Sequence, residues 1–136
     1  MIGGLVGAQI IGLCPIKENP ILAFFIPLII AMGGNVGVQS SAIVVQAIAS
    51  KNLGVQHWTK RLAKEVGVAL LNGIICSSIV LIVCFLLYSQ IKIGIIVSVS
   101  LVTVMLFASL FGTFVPIILN NRRVDPALAT GPFITT

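Results

Sequence analysis

The chain has little charge. Asp, Glu, Lys and Arg together make up 8% of its 136 residues, and only three of these residues are acidic. Soluble domains carry about 25% charged residues, so the composition argues against a soluble fold. One histidine and three cysteines without a CxxC pair give no metal motif. No glycine-rich phosphate loop with its lysine is present either. The sequence therefore predicts no enzyme and no cofactor.

The chain contains several long uncharged segments. The mean hydropathy is +1.19. Three uncharged segments are each long enough to cross a bilayer as a helix: about 20–50, 66–91 and 93–119. Segments 1–16 and 126–136 are also apolar but shorter, and we expect them to be parts of two further helices. The sequence thus predicts one all-α integral membrane domain over residues 1–136, with five helices of which the first and last are truncated.

The basic residues predict the orientation. Six lysines and arginines lie in loops 51–65 and 120–125, whereas Lys17 and Lys92 lie on the opposite side of the predicted spans. The positive-inside rule then places both loops in the cytoplasm of a multi-pass protein of the cell (inner) membrane. Anionic lipid head groups account for this charge. The basic residues are too few, and too close to the spans, to indicate nucleic-acid binding.

The segment 20–50 carries polar residues at its centre. On a helix, small residues and one valine share one side: Gly33, Gly37, Ser40, Val44 and Ala47. Amides and one alanine share the other side: Asn35, Gln39, Ala42 and Gln46. Small residues let membrane helices approach closely. The amides are consistent with two interpretations, since they can line a polar path or bond to a neighbouring helix.

Two places in the chain predict interrupted helices. The pair Gly33-Gly34 and the preceding Pro27 favour a break in the segment 20–50, which would expose carbonyl oxygens. Near the end, Asp125-Pro126 is typical of a helix start and Gly131-Pro132 interrupts the new helix. Carbonyl and hydroxyl oxygens are the ligands that hard cations take. Asp125 itself is consistent with a helix cap or with ion attraction at a pore mouth.

Two stretches of the chain form distinctive motifs. The first is FIPLIIAMGGNVGVQS at residues 25–40. The second is GTFVP at 112–116 followed by DPALATGPFITT at 125–136. Together they resemble the membrane domain of the MgtE family of magnesium transporters and channels. The resemblance covers essentially the whole chain, and it implies a homodimer with five membrane helices per subunit. It further implies Mg²⁺ entry through a central pore lined by the second and fifth helices.

The resemblance also implies the pore residues. The second helix, here segment 20–50, would supply Gly33, Gly34, Asn35, Gly37 and Gln39. The fifth would supply Gly131 and Thr135, with Asp125 at the cytoplasmic mouth. The family's main ion-binding aspartate would lie about three residues beyond Thr136, and its cytoplasmic N-terminal and CBS sensor domains have no counterpart here. We therefore expect the chain to be a fragment.

Alternatives from other functional classes fit the same residues. The chain could serve as a non-conducting membrane scaffold, or be a truncated relic that only packs through its small residues. A transporter of Mn²⁺ or Co²⁺ is equally compatible, because the same oxygen ligands accept these ions.

Overall fold

The computed structural model describes Gln9, residues 21–50 and residues 58–125. Within them lie three long helices and no strand: α1 over Ile21–Ala49, α2 over Trp58–Tyr88 and α3 over Ile91–Asn121. Each is long and apolar enough to cross a membrane. The expectation of an all-α membrane protein is confirmed. The five-helix arrangement stays a prediction, because 126–136 and nearly all of 1–16 lie outside the described residues.

The helix bounds differ from the predicted segments at one place. Residues 58–65 lie in the predicted cytoplasmic loop 51–65, where the helical spacing of Trp58, Leu62 and Val66 predicts a short interfacial helix. In the structure they form the first two turns of α2, continuous with the span. The residues from Lys60 to Glu65 are good helix formers, so the helix begins before the apolar run does. At the other end of α2, the reversal into α3 needs only Ser89 and Gln90, and Ser89 has a left-handed φ of 51°.

The break predicted at Gly33-Gly34 is wrong, because α1 is one continuous helix. Inside a bilayer every backbone group needs an internal partner, and an unbroken helix provides it. Pro27 lies in the second turn, where it removes one helical hydrogen bond without ending the helix.

Helix α3 lies between the other two and packs against both. Matching contacts show that α1 runs parallel to α3, whereas α2 runs antiparallel to it. The core draws on all three helices, and α3 contributes four side chains that are at most 2% exposed: Val97, Leu101, Val104 and Met105. Lys60, Lys64, Arg122 and Arg123 therefore lie at one end of the bundle, and Lys92 lies at the other. The predicted membrane orientation is compatible with this arrangement and stays a prediction.

The close approach of α1 to α3 depends on glycine. A Cβ built on Gly112 would run into the backbone carbonyl oxygen of Gly37, and one built on Gly33 would lie 2.5 Å from Val104 Cγ1. The five residues of the predicted small side of α1 are all buried. The prediction that this side packs closely against another helix is confirmed.

Helices α2 and α3 are joined by a reciprocal pair of serines. Ser77 Oγ donates to the carbonyl of Ser98 at 3.0 Å, and Ser98 Oγ donates to the carbonyl of Ser77 at 3.1 Å. One turn away, a Cβ on Gly73 would lie 3.4 Å from Val102 Cγ2. Such interhelical bonds stabilise membrane helix pairs where apolar burial contributes little.

We predict that Gly112→Ala destabilises the bundle by about 2 kcal/mol, within the usual range for overpacking, because the new methyl group meets backbone that cannot rotate away. Unfolding by denaturant in bicelles measures the change. Gly67→Ala is the matched control. A Cβ there has no atom within 4 Å, and replacing a helical glycine by alanine should stabilise by up to about 1 kcal/mol. Equal stability of the two variants would contradict the assigned contact.

We predict that the double variant Ser77→Ala/Ser98→Ala loses about 1 kcal/mol of stability, since interhelical bonds in membranes average about 0.6 kcal/mol each. Ser100→Ala on the same helix is the control. The hydroxyl of Ser100 is buried without a partner among the described residues, so its removal should leave stability unchanged or raised. The same bicelle unfolding measurement applies. A loss for Ser100→Ala as large as that of the double variant would speak against the serine pair.

Candidate functional site

The outward side of α1 changes character along its length. Exposed residues recur at helical spacing on the side opposite to α3. They are apolar in the first half, with Phe24 and Leu28, and then become amides: Asn35, Gln39 and Gln46. We call these three residues and Ala42 the amide face. The prediction that they lie opposite the small residues is confirmed by their exposure.

The amide face can hydrogen-bond in several ways. Each amide offers a carbonyl oxygen as acceptor and two N–H donors. At membrane depth such groups are costly unless they meet protein or water. The face is therefore suited to contact a polar path, a second helix or both.

A buried carboxylate lies next to this face. Ser40 Oγ on α1 donates to Glu65 Oε2 on α2 at 3.1 Å, and it lies 3.4 Å from Ser109 Oγ on α3. Glu65 is 8% exposed, Ser40 is 3% exposed and Ser109 is fully buried. One turn further along α3, Thr113 Oγ1 donates to the carbonyl of Ser109 at 2.9 Å. All three helices thus meet at one polar cluster.

A pocket of about 390 Å³ connects the carboxylate to the amide face. Its lining comes from α1 and α2: Gln39, Ile43, Lys64, Glu65 and Val68. Gln39 therefore borders both the amide face and the space beside Glu65. Lys64, which is exposed, lies at the same pocket and brings a positive charge near its rim.

Sequence reasoning missed Glu65 because it counted residues 51–65 as a loop. In the structure the candidate span of α2 begins at Leu62, so Glu65 lies inside it. The signal was available, since Trp58, Leu62 and Val66 recur at helical spacing and extend the helix back past Glu65. Its serine partners on α1 and α3 could not be identified without the packing of the three helices.

The other predicted site residues fall in different places. Gly33 and Gly37 are buried against α3, so a pore role for them would require α1 to unwind locally. Gly34 is half-buried, and a Cβ built there has no atom within 4 Å. Asp125 is exposed just beyond α3. Gly131 and Thr135 lie outside the described residues.

The described residues hold no group of three His, Cys, Asp or Glu side chains that could bind a metal ion directly. At the amide face and the polar cluster beside it, the side-chain oxygen atoms available to an ion come from the amides, the hydroxyl groups and Glu65. Mg²⁺ keeps several of its waters and takes few carboxylates. These oxygen atoms can accept hydrogen bonds from the waters of a hydrated ion.

Comparison with known proteins agrees with these features. The family model MgtE, described as a divalent cation transporter, matches residues 26–136. A magnesium transporter MgtE of Bacillus subtilis is 33% identical over 135 residues, which cover 98% of this chain and 30% of that protein. The protein of the same name from Thermus thermophilus is 36% identical over 121 residues, covering 85% of this chain and 25% of the relative.

A third relative extends the pattern. The magnesium transporter MgtE of Enterococcus faecalis is 31% identical over 121 residues, or 89% of this chain. The chain spans between 25% and 30% of the length of these curated relatives. The family is one of transporters rather than enzymes, in line with the lack of catalytic motifs. The match over most of the sequence, together with helices suited to a membrane, shows that this chain belongs to the MgtE family of divalent cation transporters.

Proposed function

We propose that this chain forms the membrane part of a Mg²⁺ pore. The observation that carries the proposal is the exposure of Asn35 and Gln39 in the middle of an apolar span. Lipid cannot satisfy an amide, so these side chains need water or polar protein next to them. A water-filled path along the amide face supplies it.

A second copy of the chain supplies the other wall of this path. In a homodimer, two amide faces turned towards a common axis would enclose a polar route between apolar helices. The segment 126–136 would complete the wall as a fifth helix, bringing the Gly131 backbone and the Thr135 hydroxyl to the route. Asp125, at the end of the bundle that carries Arg122 and Arg123, would lie at the cytoplasmic mouth.

The chemistry of the face favours Mg²⁺ that retains its water. Amide oxygens accept hydrogen bonds from the waters of the hydration shell and impose no charge that would hold the ion tightly. The relatives named above are described as magnesium transporters, and this supports the choice of ion. On this proposal Asn35 and Gln39 contact the hydrated ion. Gly34 keeps the route wide, and Gly33 and Gly37 hold α1 against α3.

We predict that Asn35→Leu abolishes Mg²⁺ flux, because it replaces a path-lining amide with a hydrocarbon. The measurement is Mg²⁺ entry into liposomes that contain the chain and a magnesium-sensitive dye, driven by a potassium diffusion potential. Ser78→Leu is the matched control. Ser78 is exposed on α2, and its hydroxyl bonds only within its own helix, to the carbonyl of Ile74 at 2.8 Å. Asn35→Gln, which keeps the amide, should retain part of the flux.

The outcomes separate the alternatives. Normal flux in Asn35→Leu would reject the amide face as the route. No flux in the wild-type chain, with a dimer that dissociates in Asn35→Leu, would favour the scaffold, since the amides would then bond between subunits. Flux of Mn²⁺ or Co²⁺ that exceeds the flux of Mg²⁺ at equal concentration would identify a different preferred ion.

A further inference from the structure

We propose that Glu65 and Gln39 form a cation-binding site in the wall of the bundle, occupied by a hydrated divalent ion beside the amide face. The inference deepens the proposed function. It rests on that function for the route by which the ion arrives, whereas binding of the ion at Glu65 does not depend on it. It starts from a carboxylate that is more than nine-tenths buried within a candidate membrane span.

The position of Glu65 is costly without a compensating charge. Glu65 lies about 5 Å along α2 from Leu62, where the candidate span of that helix begins, at 1.5 Å per residue. Its carboxylate is buried there against Ser40 of α1. Ionisable groups inside a membrane span are expensive and often mark an ion pathway.

One neutral hydrogen bond does not compensate a buried carboxylate. Ser40 donates a single bond to Oε2, whereas a carboxylate offers about four acceptor positions. Ser40 in turn lies against α3, where Ser109 Oγ is 3.4 Å from Ser40 Oγ. The carboxylate is thus oriented by one helix and retains lone pairs for a further donor. The waters of a hydrated cation are such donors.

The pocket beside Glu65 has the size and lining for a hydrated ion. Six waters occupy roughly 180 Å³ at about 30 Å³ each, and the pocket measures about 390 Å³. Gln39 from α1 and Glu65 from α2 lie on its wall together. A carboxylate oxygen and an amide oxygen can accept hydrogen bonds from the waters of one ion. Binding through water is the mode that Mg²⁺ favours, because it sheds its waters reluctantly.

Lys64 sets how tightly this site holds its ion. Its side chain borders the same pocket, and its positive charge opposes a cation there. A site made of a carboxylate near a lysine would bind a cation only at high ion concentration, and it would release the ion readily. A site along a route has to bind this weakly if the ion is to leave again.

The test is Mn²⁺ binding by the whole 136-residue chain in lipid nanodiscs, followed by electron paramagnetic resonance of the free ion, with Mg²⁺ as competitor. We expect Mg²⁺-displaceable Mn²⁺ binding that Glu65→Gln weakens by about tenfold or more, as for other groups that hold an ion through its ligands. The amide of the variant still accepts the bond from Ser40, so the fold is kept. Gln39→Ala, at an exposed position, should weaken binding as well.

Two controls fix the interpretation. Lys64→Gln should tighten Mn²⁺ binding, because it removes the opposing charge from the pocket. Glu18→Gln removes the same charge as Glu65→Gln on the side of the membrane that the sequence predicts to be opposite, and should bind as the wild type does. Unchanged affinity in both Glu65→Gln and Gln39→Ala would overturn the site, as would equal weakening in Glu18→Gln.

Flux measured on the same preparations separates this inference from the proposed function. A wild-type chain that conducts no Mg²⁺ but loses Mn²⁺ binding in Glu65→Gln would refute the pore and support the site. Flux in the wild type, with unaltered Mn²⁺ binding in Glu65→Gln and Gln39→Ala, would support the pore and refute the site.

Discussion

The backbone contact between Gly37 and Gly112 determines how the rest of the bundle is arranged. Two helices without side chains at the contact approach so closely that a methyl group on Gly112 would meet a carbonyl oxygen. This close contact determines which side of α1 faces α3. The residues on the opposite side of the helix then have to face outward. The amide face is turned outward because the glycines are turned inward. Membrane helices rely on such close packing, since lipid is as apolar as the side chains it replaces.

Hydroxyl groups add hydrogen bonds between the three apolar helices. Ser77 and Ser98 join α2 to α3 through each other's carbonyls. Ser40 on α1 lies 3.4 Å from Ser109 on α3 and donates a hydrogen bond to Glu65 on α2. The first pair is closed, because each hydroxyl and carbonyl is satisfied by the other. The second cluster includes a carboxylate with remaining acceptor capacity, which is why it is a candidate for ion binding and the first pair is not.

The two candidate ion-contacting features complement each other physically. Under the proposed function, an amide face without charge would let a hydrated divalent ion pass but would attract it weakly. The proposed site at Glu65 would lower the energy of the ion at one depth, and the nearby Lys64 would limit that effect. Their shared pocket at Gln39 means that an ion on the face and an ion at Glu65 would be neighbours rather than occupants of separate regions.

The sequence by itself determined the membrane class, the three described helices to within about a turn or two, and the two sides of α1, because hydropathy and the 3.6-residue period are local properties. It also supplied the family through its glycine-amide motif. Only the tertiary structure decided that α1 is unbroken at Gly33-Gly34, that α3 is the central helix and that Glu65 is buried beside Ser40. These depend on which helices meet and at what depth. Residues far apart in the chain set both, so no local pattern encodes them.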